Sequence, residues 1–459
     1  MFIFGWQVFT IGADAFQDAL SQSAESYDHK FSCRYICEID ESKWKWEQEV
    51  LKLYSPQACH FKDVATLYKL DCKCCTHDQQ CVVPETEGIV AGISCKDFSK
   101  QNPNKWLRVK GSLLENEKSP GKSCETFWGT VKLMDSNGCQ WVILENSDEL
   151  LENDQGDWKK ILVVMNSRGF RCISCVCCST EFGLPQRRRR SYLVCIAQHS
   201  KMFFIKEWSL TREMFLRHLN FMRRIPPSFE RILLADDHPF IKAMFEIWSK
   251  HAPAGLEAST VDKHMAHRKA RKSCLDCSYG RLQVRESTSK SPWFPPLNYR
   301  MRDVLASEQA DDGPKSSHTV HDLSQTIGRC PVSTVHPEFP DVALMPTVLP
   351  GSFFWLSKTP TLDFPDTRPD IKYDRPLCPE EHMMLQAWPS TGGPLTVSDH
   401  RSVANSMAGN AFTGTLSMAV FMSLISSLEW RPAIESVDEI DEDDVTHTFD
   451  ALAGLVDGW

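Results

Sequence analysis

An α/β fold built on a parallel, doubly wound sheet is the class this sequence predicts, and three observations carry that prediction. Over residues 1–200, short apolar runs alternate with stretches of helical spacing, the order in which parallel strands and crossover helices succeed one another. Several runs end in residues able to do chemistry, and ligands of open α/β sheets bind beyond the carboxyl ends of the strands. From about Lys201 the pattern changes, and it returns near Arg375, which predicts a smaller domain inserted into the first.

Residues 1–20 offer a short apolar strand followed by IGADAFQDAL, which opens a helix. YICEID (Tyr35 to Asp40) is a second strand with Glu38 at its carboxyl end, and FKDVATL puts Asp63 at a similar junction. In EGIVAG the apolar run Ile89, Val90, Ala91 ends in Gly92, and a lone thiol, Cys95, follows three residues later. A strand buried on both faces has this composition, so Cys95 hangs where a substrate can reach it. The plain alternative is a cysteine packed as a small hydrophobe, and a chain with 19 cysteines holds many of those. SCETFWGTVKLM (Ser123 to Met134) has helical spacing and leads into the strand WVILENS, whose end carries Glu145 and Asn146. SYLVCIA (Ser191 to Ala197) is another strand, entered directly from FGLPQRRRR.

Beyond Lys201, LTREMFLRHLNFMRRI is helical and DKHMAHRKARKSCLDC is basic. Ser307 to about Pro350 is polar and without clear periodicity, a long loop or disordered insert. Order returns with RPLCPEEHMMLQAWP (Arg375 to Pro389), and SVANSMAGNAFTGTLSMAVFMSLISSL is a loop feeding an apolar helix. Glu435 to Asp444 is mostly acidic, and the chain has no internal repeat.

With 459 residues the chain is large enough for two domains. MFIFGWQVF lacks a basic leader and a small-residue cleavage site, so no signal peptide is expected. LSMAVFMSLISSL is too short and too rich in serine to span a bilayer, so no membrane association is expected. Without a route to an oxidising compartment the cysteines are expected as thiols. A net charge of -9 excludes a wholly basic nucleic-acid binder, yet residues 200–300 hold 18 Lys/Arg against 10 Asp/Glu. That asymmetry fits either a local contact with a polyanion or a solvated basic face. The run HRKARK (His267 to Lys272) suits phosphate contacts, and a nuclear-localisation signal or a solvated face fits it nearly as well.

Strand ends therefore offer a thiol (Cys95), a carboxylate with an amide (Glu145, Asn146) and a guanidinium cluster (Arg187 to Arg190). Glu38 and Asp63 add acids able to hold the hydroxyls and amine of a nucleoside cofactor. A thiolate is a strong nucleophile, and nearby positive charge makes it available near neutral pH. A protonated carboxyl facing a base edge polarises the ring. The set suits nucleophilic addition to an electron-poor pyrimidine.

The same blocks, in the same order, resemble the cytosine-5 DNA methyltransferases across most of residues 9–200 and 375–425. GISCKDFS resembles the family's catalytic loop, Gly-x-Pro-Cys-x-x-Phe-Ser, and ENS its Glu-Asn-Val. FGLPQRRRR is similar to Gly-Val-Pro-Gln-x-Arg-x-Arg, which maps onto Gln186, Arg188 and Arg190. RPLCPEEHMMLQAWP is similar to the Arg-x-Leu-Thr-x-x-Glu block, and MAGNAF to the Gly-Asn-Ala segment that closes the cofactor pocket. CEID resembles the segment that grips the ribose, and KDV the one that reads adenine.

The resemblance implies a Rossmann-like class I methyltransferase core, residues 1–200 with 375–430 returning to complete it. Residues 201–374 are then an inserted target-recognition domain, residues 431–459 an acidic tail, and DNA lies in the cleft between the two domains. It implies S-adenosylmethionine as cofactor, held by Phe9, Gly12, Glu38, Ile39, Asp63, Val64, Asn410 and Ala411. It implies a catalytic set of Cys95, Glu145, Asn146, Gln186, Arg188 and Arg190. In the implied reaction the cytosine flips out of the duplex, Cys95 adds to ring carbon 6, Glu145 bonds the ring nitrogen and amine, and Arg188 with Arg190 and Gln186 supports the pocket. Carbon 5 takes the methyl group, a proton is lost and Cys95 leaves. The implied partner is duplex DNA, met by a monomer. One branch of the family uses the same residues on transfer RNA, and a catalytically silent relative is the third reading. The implied location is nuclear in a eukaryote and cytoplasmic otherwise.

Three positions depart from the family's wording: Ser94 stands where proline precedes the nucleophile, Thr10 where a glycine is expected in VFTIGAD, and Ser147 where valine follows Glu-Asn. Two further features stand outside the resemblance. LDCKCCTHDQQC packs Cys72, Cys74, Cys75, His77 and Cys81 together, but the spacing fits no standard zinc pattern, so these are read as reduced loop thiols and no metal is expected. RCISCVCC (Cys172, Cys175, Cys177, Cys178) and SCLDC (Cys274, Cys277) are read as packing or surface residues, and Trp44 and Trp46 as core rather than flanks of an adenine.

Overall fold

A computed structural model describes residues 33–45, 56–69, 71–95, 97, 114, 121–152, 156–205, 207–250, 284–311, 317–324, 336–339, 342–358, 365–387 and 401–430. The expected first strand and helix, with Phe9, Thr10 and Gly12, lie outside those residues, as do Trp46, the basic run His267 to Lys272, Cys274, Cys277 and the acidic tail.

The chain enters as β1 (Tyr35–Cys37), which pairs in parallel with β2 (Cys59–Phe61). The short helix α1 (Val64–Leu67) follows, then an antiparallel hairpin of β3 (Asp71–Lys73) and β4 (Gln80–Val82). Next comes β5 (Gly88–Gly92), buried throughout as its apolar run requires. Helix α2 (Lys122–Asn137) stops at Gly138, whose φ of 67° is the left-handed cap that glycine adopts readily. It delivers the chain to β6 (Trp141–Ser147), parallel to β5 with Gly92 opposite Glu145. Helix α3 (Asp157–Asn166) leads to β7 (Phe170–Cys178) and β8 (Arg189–Ala197).

The sheet order is β5-β6-β8-β7, and β8 runs antiparallel to both neighbours. The sheet is therefore mixed, not wholly parallel as expected. The reason is local: only the residues from Ser179 to Arg188 separate β7 from β8, enough for an antiparallel return and too few for a crossover helix. The β7 strand contains RCISCVCC, whose cysteines fall on both faces, Cys172 toward one core and Cys175 and Cys177 toward the other.

Pleating sends alternate residues of β6 to two cores. Val142 and Leu144 meet Phe127, Val131 and Ile161 on one face. Trp141 and Ile143 meet α4 (Trp208–Phe221), through Phe215 and Leu219, on the other. Helix α4, which falls within the segment expected to be inserted, shares this second core.

The second body begins with α5 (Pro239–Trp248) and α6 (Tyr299–Asp311). Its sheet consists of β9 (His318–Asp322), β10 (Phe354–Lys358) and β11 (Arg375–Pro376), in antiparallel order. Within the 307–350 span, where a long loop or disordered insert is expected, the described residues include the end of α6 at Asp311, the strand β9 paired with β10, and the buried Leu344, Met345 and Val348. Its strand is HTVHD, too polar to read as one, and a neighbouring strand rather than its own hydrophobicity stabilises it.

The chain returns through α7 (Pro379–Met384), α8 (Arg401–Asn410) and α9 (Gly414–Ser426), so the expected loop before the last helix is itself helical. Val403–Ser426 is long and apolar enough to cross a membrane, but 78% of its most apolar window is buried inside the protein, which marks a core element.

Candidate active site

Cys95 stands three residues beyond β5 and is exposed. Protein still crowds the thiol, so burial pushes its pKa above the ordinary value; Arg190 opposes this, Glu145 adds to it, and Arg188 opposes it more weakly. Both charged neighbours come from the adjoining strands. Glu145 sits opposite Gly92 on β6 and is nearly buried, and Arg190 enters from β8, where Ser147 is its partner. Arg190 Nε lies 3.0 Å from Glu145 Oε1. Burial raises the carboxyl's pKa, while Arg190 and Arg188 hold the rise back. A carboxyl whose protonated form burial favours, beside a thiol open to solvent, is thus held on neighbouring strand tips.

The loop carrying the thiol is fixed from three sides. Asn146 Nδ2 donates to Ile93 O at 2.9 Å, and its Oδ1 accepts from Ser147 N at 2.8 Å. Ser94, standing where the resemblance expects proline, donates its N–H to Thr126 Oγ1 at 3.0 Å, and its carbonyl accepts from Ser123 Oγ at 2.5 Å. The N–H that proline would lack is therefore satisfied by α2. Asp97, just past the thiol, accepts from Ser123 N at 2.8 Å, placing a buried acid at the N-terminus of α2 where the helix favours negative charge.

Gln186 and Arg188, also of the expected catalytic set, are held in buried hydrogen bonds. Gln186 is fully buried; its Nε2 donates to Leu385 O at 3.0 Å, and its Oε1 accepts from Val348 N and Gln386 Nε2, both at 3.3 Å. Arg188 donates through Nη1 to Val348 O (3.0 Å) and Gly409 O (3.1 Å), and through Nη2 to Ala411 O (2.7 Å). Both tie β8 to the second body and to the returning chain; Arg190 meets the acid. Gly409 is required by this junction, because a Cβ there would fall 2.0 Å from Pro350 N.

The residues expected around a cofactor are divided. Glu38 is buried at the end of β1, with Oε1 accepting from Asp40 N at 2.8 Å. Its Oε2 is buried and has no hydrogen-bond partner among the described residues, and burial raises the carboxyl's pKa. Ile39 beside it is 59% exposed, an apolar face turned outward. Asp63 accepts from Ala65 N at 2.9 Å as the cap of α1. An orphaned carboxylate oxygen next to an open apolar face fits the ribose hydroxyls and base of a nucleoside. Val64 departs from its expected place: its side chain is core, packed against Gly129. Asn410 turns back to Ser406 O at 2.8 Å, and Ala411 contributes its carbonyl to Arg188. Trp44 is not core as expected: it is half-buried, edge-on against His60 with ring centroids 5.7 Å apart, and lines a cavity together with Phe61, Asp63 and Thr66.

The cysteines around residue 74 do not lie apart in a loop. Cys74, His77 and Cys81 converge with Cys59 from β2, a residue outside the motif, and the four ligand atoms all lie within 4.8 Å of one another.

The profile of the family described as "C-5 cytosine-specific DNA methylase" matches residues 12–426. The DNA (cytosine-5-)-methyltransferase DMT5 of Cryptococcus neoformans is 23% identical over 412 residues, 85% of this chain but 15% of that protein. The type II methyltransferase M.Sau3AI of Staphylococcus aureus is 27% identical over 120 residues, 25% of this chain and 27% of that enzyme. The chain thus spans well under a third of either relative's length. Among solved structures, the Dnmt2 methyltransferase of S. pombe superposes with a TM-score of 0.43 at 11% identity, over 91% of this chain and 96% of that one.

Proposed function

The chain belongs to the C-5 cytosine-specific DNA methylase family, whose members typically depend on S-adenosylmethionine, and from that membership we propose that it methylates carbon 5 of cytosine in DNA with Cys95 as nucleophile. The observation that carries the proposal is the open Cys95 thiol set beside the Glu145–Arg190 pair on adjoining strand tips. A base inside a duplex cannot reach such a recess, so the cytosine enters flipped out. Cys95, as thiolate, forms a bond to carbon 6, and the ring's electron pair moves toward the face that Glu145 meets. Glu145 shares its proton with ring nitrogen 3 and accepts from the amine, and Arg190 keeps the carboxyl oriented. The bound cofactor supplies an electrophilic methyl group, which carbon 5 takes up. Loss of the carbon 5 proton then expels Cys95 and restores the ring.

Asn146, Gln186 and Arg188 are positioning residues in this reading: the first holds the backbone before the thiol, and the other two fasten the strand bearing Arg190. Glu38, Ile39 and Asp63 hold the cofactor's nucleoside. Cys95, Glu145 and Arg190 read the base and not the sugar, so the same chemistry serves a cytosine in RNA, and the test must include both polymers. Incubation with methyl-labelled S-adenosylmethionine and either duplex DNA or transfer RNA is expected to label DNA, with Cys95→Ser silent. Label on transfer RNA alone would transfer the proposal to that substrate, and label on neither would leave a binding protein.

A further inference from the structure

We propose that Cys59, Cys74, His77 and Cys81 form a structural zinc site that staples the β3–β4 hairpin to β2. The sulfurs of Cys59, Cys74 and Cys81 lie 3.7, 3.4 and 3.4 Å from one atom, His77 Nδ1. A single imidazole nitrogen either donates one hydrogen or accepts one, so hydrogen bonding accounts for one of those contacts and leaves two unexplained. A cation among the four atoms accounts for all three. With Zn–S near 2.3 Å and Zn–N near 2.05 Å, a tetrahedral centre separates sulfur from nitrogen by about 3.6 Å, within the range found. Four protein ligands leave no position open, which is the arrangement of a structural rather than a catalytic metal.

The backbone around the ligands is shaped to bring them together. Asp78 adopts a φ of 51°, turning the hairpin between His77 and Cys81, and Cys74 N closes that turn onto Gln79 O at 2.8 Å. Cys75 N donates to His60 O at 2.7 Å, which fixes the turn beside β2 and so beside Cys59. The hairpin needs such a fastening, since two strands of three residues, with Val82 72% exposed, bury too little to stand alone in water. The spacing is Cys-x14-Cys-x2-His-x3-Cys, with its first ligand on another sheet, and Cys72 and Cys75 are excluded although they lie in the same motif. Two residues past Phe61, the last of β2, comes Asp63, so the staple also steadies a strand end proposed above to face the cofactor.

The test is metal analysis of the full-length chain purified without chelator. One zinc per chain is expected, retained by Cys72→Ser and Cys75→Ser and lost from His77→Ala and Cys81→Ser, the two least buried ligands. Because a ligand variant can also fail by misfolding, the unmodified protein is exchanged with cobalt as a second measurement. It should show the strong visible absorption of a tetrahedral thiolate centre. A protein without stoichiometric zinc that gives no such spectrum overturns the proposal, and so does a spectrum that survives Cys81→Ser. Neither readout depends on methyl transfer, so the site stands or falls apart from the catalytic reading.

Discussion

Cys95 is accessible, but protein around it disfavours the thiolate, so its reactivity rests on the guanidinium of Arg190. Alkylation of Cys95 followed against pH should therefore have its midpoint above the ordinary thiol range. Replacing Arg190 by glutamine removes the main favourable charge and should move that midpoint higher still; a fall would contradict the arrangement. The family wording made Cys95, Glu145 and the arginines legible as a group. It did not reveal which arginine meets the acid, because a run of four gives no register. Pairing of Ser147 with Arg190 settles this, and pairing is a property of the sheet.

At the scale of elements, two buried polar junctions can be tested, one joining β11 to α7 and one joining β6 to the chain just beyond β5. Arg375 and Glu381 form a fully buried two-pronged pair at 2.8 and 3.0 Å, and the same carboxylate accepts from Leu234 N and Cys378 N. Glu381→Gln leaves the buried guanidinium, as carboxylate partner, only the longer contact from its Nε to Asp236 Oδ1, at 3.3 Å, and should cost up to about 3–5 kcal/mol in denaturant unfolding. A loss under about 1 kcal/mol would show that the pair is dispensable. Asn146→Ala frees the buried Ile93 carbonyl, at about 1–3 kcal/mol. It should lower kcat far more than it raises KM, since the thiol is misplaced while substrate contacts remain. The sequence marked Asn146 by type and position, yet its role as a strut became visible only once β6 lay beside β5. The antiparallel β8, the cysteine-bearing β7 and the strand His318–Asp322 were illegible for one reason: each depends on a partner strand distant in the chain or on a short connection, not on local periodicity.

Across the whole molecule, Gln186 and Arg188 join the β8 strand to Val348, Leu385 and the 409–411 turn, so the two bodies share one set of buried hydrogen bonds. Burial of His382 in the returning helix α7 links that assembly to pH. Its pKa is pushed down to about 4, with Nδ1 held by Asn405 Oδ1 at 2.8 Å. The unfolded chain takes up this proton near 6.5 and the folded chain only near 4, so its contribution is whole above about pH 6.5 and is lost as pH falls. Between pH 7 and pH 4.5 the loss should be about 2–3 kcal/mol, and a His382→Gln variant should show a correspondingly shallower slope. An unchanged slope would mean that the imidazole takes up its proton as readily in the fold as in the unfolded chain.

The proposed chemistry depends on a covalent bond between Cys95 and carbon 6 of cytosine, and trapping that bond tests it most directly. Duplex DNA and transfer RNA carrying 5-fluorocytosine, which has no carbon 5 proton to lose, should each be incubated with the protein and S-adenosylmethionine and then digested for mass spectrometry. The account predicts a modified base on the Cys95 peptide and none in Cys95→Ser. An adduct on another residue, or methyl transfer to ordinary cytosine by a protein that traps nothing, would contradict it.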